Sequence, residues 1–498
     1  MFTNIKHRAR RLLNKMGLIE SIQQITDHGE ININSDFYYE ILKWRALHQG
    51  YLAEIHDVEC QTIDSTSTRR MATMNMAKVA ANEMATLVFN ERCEVKVSDD
   101  LYNEFIQDVF KKNKFNANFQ AQLEFMFAQG GMAIRPYFDG ADIRLSFTTA
   151  AGFIPLSWDN NRINEALFLS QETKDEVTYN LLEWHNWDGS TYVITNELYE
   201  SPNGQDLGFE VPLEILYPDM EREIVIENVR RPLFSYFKPN IANNIDTEIP
   251  LGVSLYANSL DTIKGIDIAY DSLQREFRLG RKRLIVPATA INGVIDIKTG
   301  NTKHYFDTKD EVYEAMDIGG LDSEVFKEVN STLRIADHTA GIAAQLEYFA
   351  SQTGFSPGTF TFNGTSMKTA TEVVSEQSKT FRTKQSHENV IEQGINDLID
   401  AIGIVAQLYG LHTPPKEYDV TVTFDDSIAE DALGEINKQI LLLTSGLQVK
   451  YRALMKIYGL TEDEAKTLAQ EIKEESSIDQ SDVIDFIGTN TPTGGLNQ

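Results

Sequence analysis

Apolar residues recur at helical spacing in several long stretches of the chain. Between Arg69 and Phe89 they lie three and four positions apart with no proline or glycine, which predicts a helix. A second helix is predicted from Asn116 to Phe127, and residues 1 to about 110 are interpreted as helical. From Met132 to about Phe237 short alternating segments and turn signals such as Asp139-Gly140 predict strands instead. The pattern indicates a mainly helical α+β fold.

The most regular apolar stripe lies on a helix predicted from about Gly252 to Gly280. Its members step by three or four positions along one face: Tyr256, Leu260, Ile263, Ile266, Tyr270, Leu273 and Phe277. The stripe ends in a basic cluster at the predicted C-terminus of the helix, where positive charge complements the helix dipole. The cluster comprises Arg278, Arg281, Lys282 and Arg283. Either this cluster is a solvated helix end, or it contacts DNA or an acidic neighbour.

A compact insert separates this helix from the next one. Residues 284–336 contain strand-like segments at Leu284–Val286, Val294–Ile297 and Thr332–Ile335, with turns between them. A helix is then predicted from about Asp337 to Gln352. Two helices around a small mixed insert predict a projecting hairpin with a tip.

A loop and a long helix are predicted after the hairpin. Thr353–Ser366 is interrupted by Pro357 and three glycines, so it is predicted to be a loop. The helix runs from Met367 to about Tyr409, and its second half has a clean apolar seam. Its first half, Ser375–Asn389, has Phe381 as its only large apolar residue. The second half of this helix is therefore expected to pack in the core, and the first half to face water, another subunit or a channel.

The remainder of the chain is predicted to be one strand followed by helices. Tyr418–Phe424 alternates as a strand does. Helices are predicted at Ile428–Thr444, Val449–Tyr458 and Glu462–Glu474. The last stretch, from about Ser476 to Gln498, is polar and predicted to be disordered.

Composition and charge limit the classes of function. With 42% hydrophobic and 24% charged residues, the chain can bury large cores in several coupled subdomains. Its formal net charge is −29, whereas proteins that grip nucleic acid usually present a basic face. A channel that duplex must slide through is better served by repelling phosphates. The acidic charge therefore distinguishes a protein that grips DNA from one that conducts it, without proving either role.

The sequence has no pattern of an enzyme, a metal centre or a membrane protein. Phosphate loops, dinucleotide fingerprints, zinc-protease helices and nucleophile elbows are missing from it. Cys60 and Cys93 are too far apart in sequence for a zinc motif, and His185 and His387 are predicted to be structural or surface histidines. No apolar run is long enough for a membrane span. We predict no catalytic residue, metal or cofactor, although acidic pairs such as Asp425-Asp426 leave a divalent ion open.

The C-terminal segments resemble a known family. Gly446-Leu447, Tyr458–Ala465 (YGLTEDEA) and Glu471–Glu475 (EIKEE) resemble the closing helices of portal proteins from long-tailed phages of Gram-positive bacteria. The preceding elements follow the portal order, with Pro250–Ser254 (PLGVS) leading into a stem helix. The resemblance covers nearly the whole chain and depends on order and pattern more than on any single motif.

The resemblance implies a division of the chain into portal regions. These are a wing (1–251), a first stem helix (252–283), a clip (284–336), a second stem helix (337–352), a tunnel loop (353–366), a long wing helix with a strand (367–427), a helical crown (428–475) and a disordered tail (476–498).

The resemblance also implies roles for particular residues. The channel constriction would be formed by Phe355, Ser356, Pro357, Thr359, Phe360, Thr361, Phe362 and Asn363. Packing between subunits would involve Leu260, Ile263, Ile266, Tyr270, Leu273 and Phe277. Contacts of the clip with its partners would involve Lys298, Lys303, His304 and Lys309, and Arg278, Arg281, Lys282 and Arg283 would lie near DNA at the junction of stem and clip.

The implied function is a ring of about twelve copies at one capsid vertex, through which double-stranded DNA is packaged and ejected. Its implied partners are the terminase large subunit, the head-to-tail adaptor, and the major capsid and scaffolding proteins, with no membrane. The protein would assemble in the host cytoplasm and end in the virion. The alternatives are a minor capsid or head-closure component and, from another class, a cytoplasmic enzyme.

Overall fold

The computed structural model describes residues 35–61, 66–202, 204, 206–280, 332–360, 370–425, 439–458 and 464–472, with the backbone of five strands between 283 and 329. Side chains are described in these ranges except in the five strands, at residue 35 and at residues 370–378. The chain divides into two compact units, one of residues 1–364 and 382–425 and the other of residues 365–381 and 426–498.

Helices dominate the beginning of the described chain and the part after residue 260. They are α1 (Ser35–His48), α2 (Ala53–His56), α3 (Met76–Val88), α4 (Asp100–Lys112), α5 (Phe115–Gln129), α6 (Leu260–Leu279), α7 (Ile335–Gln352), α8 (Ala370–Leu408) and α9 (Lys450–Tyr458). Residues 439–444 and 464–472 are also helical. The predicted helices at Asn116–Phe127, Asp337–Gln352 and Val449–Tyr458 are confirmed as α5, α7 and α9.

Strands occupy the middle of the chain and the segment between α6 and α7. They are β1 (Asp57–Gln61), β2 (Thr66–Arg70), β3 (Glu94–Val97), β4 (Met132–Phe138), β5 (Ile143–Thr149), β6 (Phe153–Asp159), β7 (Arg162–Lys174), β8 (Val177–Asp188), β9 (Thr191–Ser201), β10 (Phe209–Val211), β11 (Glu223–Ile226), β12 (Ser235–Phe237), β13 (Arg283–Pro287), β14 (Gly293–Ile295), β15 (Thr302–His304), β16 (Tyr313–Met316), β17 (Lys327–Val329) and β18 (Val420–Thr423).

The largest sheet has six strands in the order β10-β9-β8-β7-β6, with β11 also pairing with β9. Smaller sheets have the orders β12-β4-β5, β16-β13-β17, β1-β2, β14-β15 and β18-β3. The described pairings are antiparallel except that of β13 with β16, which is parallel. Helices and mostly antiparallel sheets in separate parts of the chain make the fold α+β, as predicted.

The beginning of the described chain is less helical than predicted. The stretch from Arg69 to Phe89 becomes helical only at Met76, because Thr66–Arg70 pairs with β1 as strand β2. Asn75, with φ of 51°, lies in the left-handed region directly before α3 and separates the strand from the helix. The interpretation of residues 1–110 as helical throughout is therefore wrong within the described part, which also contains β1, β2 and β3.

Small side chains let the first helices pack closely. The buried face of α3 consists of Met76, Ala77, Ala80, Ala81, Met84, Ala85 and Val88. Beyond its end, the ring of Phe89 meets Phe119 of α5 edge-on, with 4.9 Å between the ring centroids. Phe115 stacks on Phe119 at 4.8 Å. These contacts belong to a continuous hydrophobic core that extends through the large sheet to α8.

A buried polar chain joins the sheet containing β4 and β5 to the six-stranded sheet. The Arg135 guanidinium lies 2.8 Å from a carboxylate oxygen of Glu183 and also donates to the Thr148 hydroxyl. The same carboxylate oxygen lies 2.8 Å from Nε2 of His185, and the Tyr192 hydroxyl lies 2.9 Å from Nδ1 of that ring. Because a carboxylate only accepts hydrogen bonds, Nε2 carries the ring proton and Tyr192 donates to Nδ1.

Charge in this network is set by burial and by Arg135. Burial alone would raise the pKa of Glu183, but the Arg135 guanidinium and the His185 ring outweigh it and lower that pKa to about 2. Burial lowers the pKa of His185. An ionised Glu183 and a neutral His185 follow, and His185 is a hydrogen-bonded core histidine, as predicted.

The strand predicted at Tyr418–Phe424 is confirmed as β18. Its partner is β3, with Val422 opposite Val95 and Val420 opposite Val97. This pairing brings residues more than 300 positions apart into one two-stranded sheet beside α8. The buried Tyr102 hydroxyl of α4 donates to the carbonyl of Ile399 in α8 at 2.8 Å, which fixes the same region.

The described part of the second unit consists of helices and the turn at residues 445–449. Ala453 and Leu454 of α9 and Ala465 are buried. Of the predicted helix Ile428–Thr444, residues 439–444 are helical and residues 428–438 lie outside the described part. The tail predicted to be disordered, 476–498, lies outside it as well.

Candidate assembly interface

Helices α6 and α7 form an antiparallel pair around the strand-containing insert. Near one end the Thr262 hydroxyl donates to the side-chain oxygen of Gln352 at 2.8 Å. Near the other end the Arg334 guanidinium binds Glu276 at 3.1 Å. The chain between the two helices contributes β13 to β17. This is the predicted helical hairpin with an insert at one end.

The first helix of the pair is shorter than the predicted range 252–283. Residues 252–256 lie against the end of α5, where the Leu255 N–H donates to the Phe127 carbonyl at 2.9 Å. A Cβ on Gly252 would lie 2.3 Å from the carbonyl oxygen of Gly130, so this approach requires glycine. At the other end α6 stops at Leu279, and Arg283 begins β13.

The apolar stripe of α6 divides into a buried and an outward part. Ile263 and Ile266 are buried in the core of the chain itself, so they are not available to a neighbouring copy. Leu260, Tyr270 and Leu273 are half-buried. Phe277, at 46% exposure, is open to solvent. The prediction of a contact between subunits therefore depends on the half-buried and exposed members.

An apolar groove runs between α6 and α7. It has a volume of about 560 Å³. Its lining consists of Met74, Tyr270, Leu273, Ala336, Thr339, Ala340, Ile342 and Ala343. The alanine side chains that line the α7 side of the groove are short. A large side chain from another molecule could therefore enter between the two helices.

Two buried carboxylates on α6 hold the chain segment around residues 69–74. Asp267 is fully buried and accepts from the Thr73 hydroxyl at 2.9 Å and from the Met74 N–H at 2.8 Å. His56, also buried, donates to the same carboxylate from Nε2 at 3.1 Å, because its Nδ1 accepts from the Leu52 N–H. Three donors therefore converge on one carboxylate in the core.

One helical turn further, Asp271 binds Arg69. The guanidinium donates twice to the carboxylate, at 2.8 and 2.6 Å, and the Ala72 N–H donates at 3.1 Å. The hydrogen bonds from Arg69 come first among the causes that lower the pKa of Asp271. Sequence reasoning missed both carboxylates, because it considered only the apolar positions of this helix. Aspartates four positions apart beside Ile266 and Tyr270 were the available signal.

The predicted tunnel loop begins with residues that belong to the core. Phe355 and Ser356 are buried. The Thr383 hydroxyl of α8 donates to the Gly354 carbonyl at 2.8 Å, and Gly354 has a φ of 84°. The ring of Phe360 packs edge-on against Phe355 with 5.0 Å between centroids. Thr353, Phe355, Ser356 and the ring of Phe360 thus anchor the first part of the loop in the core.

The other residues predicted to form the constriction, Phe360 apart, are either exposed or outside the described part of the chain. Pro357 and Thr359 are exposed. Thr361, Phe362 and Asn363 lie outside the described residues. The prediction of a constriction remains untested, and the buried Phe355 and Ser356 have an evident structural role.

Comparison with protein families identifies the chain. A family model described as phage portal protein, SPP1 Gp6-like, matches residues 17–481 of the 498. The chain belongs to this phage portal family. Among curated proteins no relative matches at a significant level. The predicted resemblance is therefore confirmed over nearly the whole sequence.

Membership of the portal family carries general consequences. Portal proteins are structural rather than catalytic, and the family implies an oligomeric ring, partners in the phage head and a place in the virion capsid. Among the described helices of this portal chain, none is long and apolar enough to cross a membrane. Within the described residues, His, Cys, Asp and Glu form no group of three suited to a metal ion.

The predicted basic cluster and clip residues of the portal chain are only partly described. Arg278 is exposed on the last turn of α6, and Arg283 begins β13. Lys303 and His304 lie on β15, opposite Val294 and Gly293. The other members, Arg281, Lys282, Lys298 and Lys309, lie outside the described residues. Their roles remain predictions.

Proposed function

We propose that this chain is one subunit of a closed portal ring that conducts double-stranded DNA into and out of a phage head. The observation that carries the proposal is the antiparallel α6–α7 pair, with an apolar groove on its surface and a strand-containing module between its helices. A groove on one subunit and apolar side chains on the next make a heterologous contact, which closes into a ring when the rotation fits.

We further assign the regions 252–283 and 337–352 to the stem, 284–336 to the clip and 428–475 to the crown. The clip would dock the terminase large subunit during packaging and the head-to-tail adaptor afterwards, while capsid and scaffolding proteins would contact the outside. A separate ATPase supplies the energy. The net charge of −29, repeated around a ring, supports a channel in which duplex stays mobile rather than bound.

The purified protein is expected to form rings with a mass about twelve times the 56.3 kDa of the chain and a central hole in negative-stain images. Leu273→Glu, which places a charge in the groove, should yield separate subunits with an unchanged far-UV circular dichroism spectrum. Leu101→Glu is the matched control, because Leu101 is 72% exposed on α4, and it should leave the rings intact. Wild-type protein that stays monomeric at every concentration would rule out the proposal.

Removal of residues 361–366 tests the tunnel loop. Because Phe355, Ser356 and the hydrogen bond to Gly354 hold the first part of the loop on the core, this shorter deletion should leave rings intact while packaging or retention of DNA falls. Phe355→Ala is the comparison: emptying its buried site should cost about 3–5 kcal/mol of folding free energy. Normal packaging by intact rings that lack 361–366 would refute a constriction there.

A further inference from the structure

The apolar groove between α6 and α7 has a counterpart on the opposite side of α6. Tyr270 and Leu273 line the groove, whereas Ile268 is 47% exposed. An α-helix turns by about 100° per residue, so the side chain of Ile268 is rotated by about 200° from that of Tyr270 and lies on the other face of the helix. It borders a second groove, which separates α6 from strand β1. One face of α6 therefore offers an apolar groove, and the opposite face offers an exposed apolar side chain.

Contacts between the two helices fix which residues of α6 and α7 lie at the same height. A Cβ on Gly265 would lie 2.9 Å from the side-chain oxygen of Gln345, so these two residues face each other. Glu276 binds Arg334, and this pair lies equally far along α6 from Gly265 and back along α7 from Gln345. Each step forward along α6 therefore corresponds to a step backward along α7.

This register relates the exposed face of α6 to the groove. Ile268 lies within about one residue of the height of Ala343, which lines the groove, and Lys264 lies within about one residue of the height of Glu347. Copies in a closed ring are related by rotation about one axis, so a given residue has the same height in every copy. In a stem that runs along the ring axis, Ile268 of one subunit is therefore level with Ala343 of the next, and Lys264 is level with Glu347.

Lys264 and Glu347 carry opposite charges beside the apolar positions. Lys264 lies one helical turn before Ile268, and Glu347 lies one turn after Ala343, so both lie towards the same end of the antiparallel pair. Both side chains are exposed, and neither has a hydrogen bond or an ion pair within the residues that the structure describes. Complementary charges at the edge of an apolar contact favour one partner face and one register over others.

We propose that the next copy of the chain fills the groove of each subunit. Ile268 of one subunit packs between α6 and α7 of its neighbour beside Ala343, and Lys264 pairs with Glu347 of that neighbour. This inference rests on the proposed function and deepens it, because it identifies the occupant of the groove. The two contacting faces differ, so an open chain of subunits keeps one unfilled groove and one uncovered Ile268 until the ring closes.

Disulfide crosslinking tests the apolar contact in the full chain. The background variant Cys60→Ser removes the partly exposed cysteine and keeps the buried Cys93. In this background, Ile268→Cys combined with Ala343→Cys should give a ladder of covalent oligomers that extends to the full ring on a non-reducing gel. Either substitution alone should leave single chains, because each bond joins two different positions.

The matched control combines Ile268→Cys with Leu101→Cys, which is also exposed but lies on α4, and it should give no ladder. Rings of wild-type size that yield no ladder with the Ile268 and Ala343 pair would overturn this inference and leave the ring itself standing. A crosslinked dimer from Ile268→Cys alone would indicate a two-fold contact and overturn the inference as well. Wild-type chains that remain monomeric would refute both the inference and the proposed function.

Charge reversal tests the ion pair. Lys264→Glu and Glu347→Lys should each raise the protein concentration at which half of the chains are in rings by at least about threefold, because each places like charges opposite each other. Light scattering over a dilution series measures this concentration. The double variant restores opposite charges and should return the concentration to within about twofold of the wild type.

Lys78→Glu on α3 is the control for general electrostatic effects. Lys78 is exposed, and its reversal changes the net charge as Lys264→Glu does, but the half-assembly concentration should change by less than about twofold. Equal effects of Lys78→Glu and Lys264→Glu would contradict the pairing. A double variant that assembles no better than the single variants would contradict it too.

Discussion

Replacing Asp267 with alanine is expected to lower the free energy of unfolding of the first unit by about 3–5 kcal/mol. The substitution leaves three donors without an acceptor in the core, namely the His56 ring, the Thr73 hydroxyl and the Met74 N–H. Each unsatisfied buried donor costs about 1–3 kcal/mol, and water has little access because Asp267 and His56 are at most 1% exposed. Asp267→Asn should cost less, because the amide oxygen still accepts.

Hydrogen exchange read by mass spectrometry, combined with denaturant unfolding, measures this effect locally. Amides around residues 69–74 should lose protection in Asp267→Ala, because that segment is held on α6 through this carboxylate. The control is Asp261→Ala on the same helix, where the side chain is exposed and the expected change is below about 1 kcal/mol. Equal protection in the two variants would contradict the assigned role of Asp267.

The stem illustrates what the sequence could and could not predict. Spacing located α6 and α7 and the insert between them, because a 3.6-residue period depends only on local order. Spacing did not reveal that Ile263 and Ile266 face the core of their own chain, since a stripe identifies a face and not its partner. Arg69 and Asp271 meet across 202 positions, and no local pattern relates them.

Strand β18 is a second case in which the local sequence pattern predicts an element but not its partner. Alternation identified the strand, but its partner β3 lies more than 300 residues earlier, and only the folded chain specifies that register. The C-terminal segments together with the order of regions, by contrast, were enough to predict the portal family.

Glu183→Gln is expected to destabilise the first unit by about 3–5 kcal/mol at pH 7. The amide can still accept from Arg135, but it no longer neutralises a guanidinium whose side chain is 9% exposed. A buried charge that loses its counter-ion is costly, because the protein interior solvates it poorly. Denaturant unfolding followed by tryptophan fluorescence measures the difference, since Trp184 and Trp187 flank this network. Glu223→Gln, an exposed position on β11, should change stability by less than about 0.5 kcal/mol.

The dependence on pH tests whether the carboxylate charge is responsible. In the folded protein the pKa of Glu183 lies near 2, below its ordinary 4.5, so ionised Glu183 contributes its full stability above pH 4.5. That contribution is lost as pH falls from 4.5 towards 2, and the difference between wild type and Glu183→Gln should shrink over this window. The lowered pKa of His185 acts differently: below its ordinary 6.5, protonation of the unfolded chain destabilises both proteins. A difference that stays constant below pH 4.5 would show that shape, rather than the charge of Glu183, holds the two sheets together.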